Sequence, residues 1–242
     1  MPRQKRAEST ASRARRGLRA VLITAAIAGL VFVLAPYLVA PLYRVVDPVS
    51  MPMLWRRING QRVVRLYEPL QRISPALPIS VIVAEDGSFC RNRGIDLGAI
   101  REALQQSDDD VAEARGASTI TQQVAKNLFL WQGRSIVRKV LELPLALWLN
   151  LVLPKRRVLE IYLNIAEWGP RGEFGAEAAA RWAFGISARD LNPVQAAKLA
   201  AILPNPVMRS ARIPSALVQQ LADIYRRRAE AHPGLDACLH RH

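Results

Sequence analysis

From Val21 to Tyr43 the chain carries no charged residue. The twenty residues before it hold Arg3, Lys5, Arg6, Arg13, Arg15, Arg16 and Arg19 against Glu8 alone. A helix through such a run covers about 34 Å, enough for a hydrocarbon core of about 30 Å. This divides the chain into a cytoplasmic basic tail at 1–20, a transmembrane signal-anchor helix at 21–43, a neck or linker at 44–78 and a folded domain at 79–242. The basic flank keeps the N-terminus in the cytoplasm and exports the remainder. A cleaved signal peptide shares this outline, but the apolar run is longer than an ordinary h-region and Ala35-Pro36-Tyr37 is a poor cleavage site. Pro36 and Pro41 are placed to kink or end the helix.

The 242 residues carry a formal net charge of +14, of which the tail supplies seven positive charges less one negative, or +6. The other basic residues are scattered and form no nucleic-acid-binding motif, so a nucleic-acid partner is not expected. Attraction to anionic lipid is the simpler account of the excess. Cys90 and Cys238 can pair in an oxidising exterior, but their separation in sequence leaves the pairing open. Neither zinc-ligand spacing nor a Cys-His nucleophile pattern is present.

Between 44 and 78 prolines and arginines interrupt isolated apolar residues, with one short strand expected at Arg62–Tyr67. Ile79–Ala84 reads as a buried helix, with Leu77-Pro78 supplying a proline at its first position. Residues 95–106 look helical, and Ser107–Arg115, with three consecutive aspartates, reads as a solvated loop. Thr119-x-x-Gln122 is a capping-box pattern that starts a helix near Ser118. Further helices are expected from Ser135 (kinked or interrupted by Pro144), from Pro154 to about Gly169, over Gly175–Phe184 and over Pro193–Leu203 behind Asn192. Strand signals are weak and there are no internal repeats, so the fold class is mostly α.

Three groups carry possible chemistry. Glu85 ends an apolar segment, where burial would raise its pKa and make it a better base; taken alone, Glu85-Asp86 equally fits a helix end with polar caps. Thr119, Gln122, Gln123 and Lys126 give one helix a polar face suited to phosphate oxygens, or simply a solvated face. Arg138, Lys139 and Glu142 can be a cation pair with a second carboxylate, or an ordinary i,i+4 ion pair. Glu160, Tyr162, Asn164 and Glu167 are candidates to support a site, Tyr162 as a core aromatic and Asn164 as a buried amide.

In this order and spacing the groups resemble the glycosyltransferase domain that polymerises bacterial peptidoglycan, shared by monofunctional biosynthetic transglycosylases and class A penicillin-binding proteins. The resemblance covers about residues 79–206. The family's Glu-Asp-x-x-Phe-x-x-His-x-Gly is matched by Glu85, Asp86, Phe89 and Gly94, with Asn92 in the histidine's place. Gly-Gly-Ser-Thr-Ile-Thr-Gln-Gln-x-x-Lys-Asn is matched from Gly116 to Asn127, with Ala117 for the second glycine. Arg-Lys-x-x-Glu is matched by Arg138, Lys139 and Glu142, and Lys-x-x-Ile-Leu-Glu-x-Tyr-Leu-Asn from Lys155 to Asn164 with Val158 for isoleucine. A fifth, mainly structural region runs from Gly175 to Pro206. The chain ends about 36 residues later and contains no Ser-x-x-Lys acylation motif, which points to the monofunctional branch.

The resemblance implies a lysozyme-like, two-lobed, mostly helical domain behind one transmembrane helix, in the bacterial inner membrane with the catalytic domain periplasmic. Its activity would be glycosyl transfer in cell-wall synthesis: lipid II and the growing glycan chain are the substrates, joined β-1,4 with inversion, and undecaprenyl pyrophosphate leaves. Glu85 and Glu142 are then the catalytic carboxylates. Asp86, Phe89, Ser118, Thr119, Gln122, Gln123, Lys126, Asn127, Arg138 and Lys139 bind substrate, and Glu160, Tyr162 and Asn164 support them. No cofactor is required by the sequence, and a divalent cation (Mg or Mn) would serve at the pyrophosphate. Membrane lipid and other cell-wall synthesis proteins are the expected partners. Asn92, Asn150 (where relatives often carry Glu) and Pro144 depart from the pattern without touching the catalytic set. The rivals are a lytic transglycosylase or muramidase, which needs no pyrophosphate cradle, and a non-catalytic membrane scaffold.

Overall fold

The structure is a computed structural model. It describes residues 2–106, 118–133 and 135–240, and their side chains except those of 2–18, 32 and 103–106. The expected loop 107–115 and the Gly116-Ala117 start of the second motif lie outside the described residues, as do the side chains of the basic tail. The chain forms two compact units, residues 1–40 and 41–242. The first is one helix, α1 (Pro2–Val39). It passes Pro36 without ending, and the chain tightens into a 3₁₀ turn at Ala40–Arg44, where Pro41 sits. The stretch Arg19–Arg44, 26 residues long, is apolar and long enough to cross a membrane.

The second unit is mostly helical, as expected. Its elements are α2 (Met51–Ile58), β1 (Val64–Arg65), α3 (Ala76–Glu85), α4 (Leu97–Gln106), α5 (Ile120–Phe129), α6 (Ile136–Val152), α7 (Lys155–Ile165), β2 (Glu173–Phe174), α8 (Ala176–Phe184), α9 (Pro193–Ile202) and α10 (Ala216–Ala231). α7 is the axis of the core. Val158 to Ile165 are all buried, so even its polar positions must be satisfied internally. α5 packs against α6 and α7, and α3 packs against α9 and α10. α8 and α9 present alanines inward, and these small side chains allow close helix approach.

Residues 44–78, expected to be a neck, instead belong to this unit. Met53, Leu70, Ile73 and Leu77 are buried in its core, and β1 pairs in parallel with β2, Val64 opposite Glu173 and Arg65 opposite Phe174. The prolines break the segment into short pieces, but each piece carries one apolar anchor into the core. Gly172 permits the strand approach, since a Cβ there would lie 2.1 Å from the Arg62 carbonyl oxygen.

Two proline readings are corrected. Pro78 is the third residue of α3, not the first; this position still lacks an intrahelical partner for its missing N–H. Pro144 does not interrupt α6, which is a single helix to Val152. α7 ends at Ile165 rather than near Gly169. The capping box at Thr119–Gln122 and the cap at Asn192 form as expected, and Gln195 completes a second capping box with Asn192.

Candidate active site

Three elements converge on the site: the C-terminal end of α3, the N-terminal half of α5 and the first turns of α6. Glu85 is the last residue of α3. Its Oε2 accepts a hydrogen bond from Gln123 Nε2 at 2.7 Å, and Gln123 Oε1 accepts from the Tyr162 hydroxyl at 3.1 Å. Burial pushes the Glu85 carboxyl up from its ordinary value; the Gln123 hydrogen bond and the charges of Lys126 and Arg209 oppose this. A carboxylate raised in this way is a better proton acceptor while remaining able to ionise.

Asp86, adjacent in sequence, does something different. Its Oδ2 accepts from the Ile120 backbone N–H at 3.0 Å, and its Oδ1 accepts from Ser88 at 3.0 Å and Asn92 at 2.9 Å. It fastens the loop after α3 to the start of α5. Asn92 is the hub of that loop. Its Nδ2 donates to Asp86 and Ser88, while its Oδ1 accepts from Lys155 Nζ at 2.8 Å and Gly94 N at 3.0 Å. Lys155 also lies over the fully buried Phe89 ring, 4.6 Å from its centroid. Phe89 and Asp86, both expected to bind substrate, build this loop.

The polar face of α5 divides in the same way. Thr119 caps the helix and donates to the Gly94 carbonyl at 2.6 Å. Gln122 is fully buried, its Oε1 accepting from Thr119 N at 3.0 Å. Both were expected to bind substrate; in the structure they form the cap, with Gln122 Nε2 buried and without a hydrogen-bond partner among the described residues. Lys126 has no hydrogen-bond or ion-pair partner among the described residues, although burial and the neighbouring Arg138 lower its pKa. It lines a cleft of about 450 Å³ together with Gln123, Asn127, Tyr162, Trp55, Arg56, Glu167 and the Leu203–Pro206 turn. Glu85 lines a second, smaller cavity of about 230 Å³ with Asp86, Ser88, Ser118 and Thr119. The Glu85–Gln123 hydrogen bond thus joins the walls of two cavities.

At the start of α6 Arg138 and Lys139 both meet the buried Glu142 carboxylate, Lys139 at 3.2 Å. Lys139 Nζ also donates to Ser118 at 2.6 Å, and its pKa is lowered to about 8, chiefly by burial. Lys126, Arg138 and Lys139 set against Glu142 leave a net formal charge of +2 in one cluster. A resident divalent cation does not fit it. Both Glu142 oxygens face cations, and no three His, Cys, Asp or Glu side chains group to hold a metal among the described residues.

Glu160 and Asn164 lie away from the cleft. Glu160 accepts from Tyr67 at 2.7 Å and Leu70 N at 2.8 Å and pairs with Arg157. Asn164 bonds both backbone groups of Glu68. They hold the 67–70 segment against α7. Sequence reasoning missed Arg209, whose charge reaches Glu85 and whose Nη1 donates to the Ala201 carbonyl at 3.0 Å. It also missed the Arg56–Glu167 ion pair at 2.5 Å in the cleft wall. Neither partnership has a local sequence signal.

A buried carboxylate beside an anion-attracting cluster is a site that suits an enzyme of the group-transfer class. Comparison with known proteins agrees with that class. The chain belongs to the transglycosylase family, whose model matches residues 53–230. It is 55% identical over 214 residues to a biosynthetic peptidoglycan transglycosylase of Nitrobacter hamburgensis, covering 88% of this chain and 93% of that one. The protein of the same description from Agrobacterium fabrum is 47% identical over 212 residues, covering 87% and 93%.

Proposed function

We propose that this chain is a peptidoglycan glycosyltransferase that polymerises lipid II into β-1,4-linked glycan. The observation that carries the reading is Lys126, an ammonium without a hydrogen-bond or ion-pair partner among the described residues, in the cleft next to the Glu85–Gln123 pair. Desolvating a cation without an internal partner is costly, so a chain that keeps one there is suited to an anionic ligand.

In this reading Glu85 removes the proton from the acceptor's sugar hydroxyl. The oxygen attacks the anomeric carbon of the donor chain, the bond to pyrophosphate breaks on the opposite face, and the configuration inverts. Negative charge grows on the departing undecaprenyl pyrophosphate. Lys126, Arg138 and Lys139 stabilise it in a partly desolvated site, where fixed charges act strongly. Glu142 holds Arg138 and Lys139 in place. The apolar helix fixes the enzyme at the surface where its lipid-linked substrate lies. The N-terminus is cytoplasmic and the domain exported, a topology favoured by the basic flank and by the Cys90–Cys238 disulfide, which suits an oxidising compartment. The cationic cluster has no task in glycan hydrolysis, which weighs against a lytic enzyme.

The test is incubation of detergent-solubilised protein with labelled lipid II, products resolved by size. The wild type is expected to give a glycan ladder and Glu85→Gln none, with the variant still folded by circular dichroism. Wild-type turnover by Glu85→Gln would remove the base assignment. Intact lipid II with folded wild type would remove the function.

A further inference from the structure

Resting on the assignment of Glu85 as base, we propose that Tyr162 is a positioning residue for it. The Tyr162 hydroxyl fixes the Gln123 amide so that its NH₂ group, not its carbonyl, faces the carboxylate.

The argument begins with the asymmetry of an amide. Gln123 Nε2 lies 2.7 Å from Glu85 Oε2, and Gln123 Oε1 lies 3.1 Å from the Tyr162 hydroxyl. An ionised carboxylate only accepts hydrogen bonds, so the end of the amide that meets it must be the donor. The other end is then a carbonyl, and Tyr162 must donate to it. Tyr162 is buried in the middle of α7, with this as its one hydrogen bond among the described residues. The buried hydroxyl's proton requires an acceptor, and among the described residues the Gln123 carbonyl is the one it has. In the flipped amide the hydroxyl would accept while its own proton went unpaired, and that selects the amide orientation. Rotating the amide by half a turn would set its carbonyl against the carboxylate. That arrangement is tolerable only when Glu85 is protonated and can donate, with Tyr162 then accepting from the amide. The chain Tyr162–Gln123–Glu85 therefore has two hydrogen-bonded states, one for each protonation state of Glu85. With Tyr162 as donor, the state that leaves Glu85 ionised is favoured.

Gln123 is accordingly spent on the base rather than on substrate. Its bond occupies Oε2 and leaves Oε1 to receive the proton. The charged groups that reach the carboxylate are Lys126 from α5, Arg209 from the segment after α9 and Asp86 next to it in sequence, and Tyr225 from α10 lies within reach of the Glu85 charge. None of these orients it by a direct hydrogen bond among the described residues, so the Gln123 amide is its one fixed contact.

The experiment measures kcat/KM for labelled lipid II across the acid limb of the pH profile, using the full-length protein in detergent. The base works ionised, so activity falls as pH drops through its pKa. Tyr162→Phe releases the amide, weakens donation to the carboxylate and raises that pKa. The acid limb is expected to move to higher pH by about 0.5–1 unit, with the KM for lipid II little changed. Gln123→Met is expected to shift the limb in the same direction, and the double variant no further than Gln123→Met alone, because the two act through one bond. If Tyr162→Phe does not fold, Gln123→Met carries the test. A limb that stays in place in either folded variant, or additive shifts in the double variant, would overturn the proposal. Turnover by Glu85→Gln would instead overturn the base assignment.

Discussion

Three neighbouring polar residues in the 85–92 stretch do three different jobs, and their hydrogen bonds separate them. Among the described residues Glu85 has a hydrogen bond at one oxygen alone, Asp86 accepts at both of its oxygens, and Asn92 both donates and accepts. An imidazole at position 92 would add a titrating group to this network; the amide serves it without changing charge. Asn92 therefore stands as a structural residue of the loop, and its presence is no argument against catalysis. Asn92→Ala should leave Asp86 short of a donor and Lys155 Nζ short of an acceptor, which costs about 1–3 kcal/mol. A urea titration of the solubilised protein reads the loss directly. An unchanged midpoint would mean that solvent replaces both bonds. Lys155 reinforces the same loop, its pKa lowered to about 8 mainly by burial.

Between elements, the loop carrying Asp86 must lie close to both α5 and α6, and Gly94 is where that approach is tightest. Its φ is +95°, in the region that side chains disfavour. A Cβ there would lie 2.5 Å from the Ala146 carbonyl oxygen and 2.9 Å from Asn150 Cβ. Its own carbonyl receives the Thr119 hydroxyl, so one residue joins α5 and α6 to the loop. Gly94→Ala combines backbone strain with a clash against main chain, for an expected loss of about 2–4 kcal/mol. The check is thermal unfolding followed by far-ultraviolet circular dichroism. Glycosyl transfer should fall as well, because displacing the loop moves the end of α3 and Glu85 with it. A stable but inactive Gly94→Ala protein would show that the loop shapes the site without holding the fold.

Over the whole unit, the C-terminal segment closes back onto the catalytic loop. Cys90 and Cys238 are disulfide-bonded across 148 residues, with their Cα atoms 5.3 Å apart. α10 packs on α9 and α3, and Tyr225 on α10 feels the charge of Glu85. The segment beyond residue 206, to which no motif gave a role, thus places α10 against α3, the helix that ends in Glu85. Cross-linking so long a loop restricts the unfolded chain, so Cys238→Ser should cost about 2–4 kcal/mol. Thermal melting with and without reductant measures it: the wild type should melt lower once reduced, while Cys238→Ser should not respond. A reductant-independent wild-type melt would mean that the disulfide does not form in the purified protein.

Local signals in the sequence were enough for the apolar helix, for several helix starts and for the candidate site residues. The uncharged run fixed the apolar helix, the capping boxes at Thr119 and Asn192 fixed two helix starts, and the motif spacing singled out Glu85, Lys126, Arg138, Lys139 and Glu142. Those features depend on residues within a few positions of one another, which periodicity and capping rules describe directly. Only the tertiary structure decided which polar residues face the cleft and which are consumed inside the fold. Gln122 and Gln123 are adjacent in sequence, yet successive side chains on a helix point about 100° apart. One therefore closes a cap while the other reaches the base. The partnerships that fix each role, Tyr162 with Gln123, Arg209 with Glu85, Arg56 with Glu167 and Cys90 with Cys238, join residues 39 to 148 positions apart. Hydrogen bonds and charges act over a few ångströms of space, and only the packing of α3, α5, α7 and α10 brings those distant residues within that range.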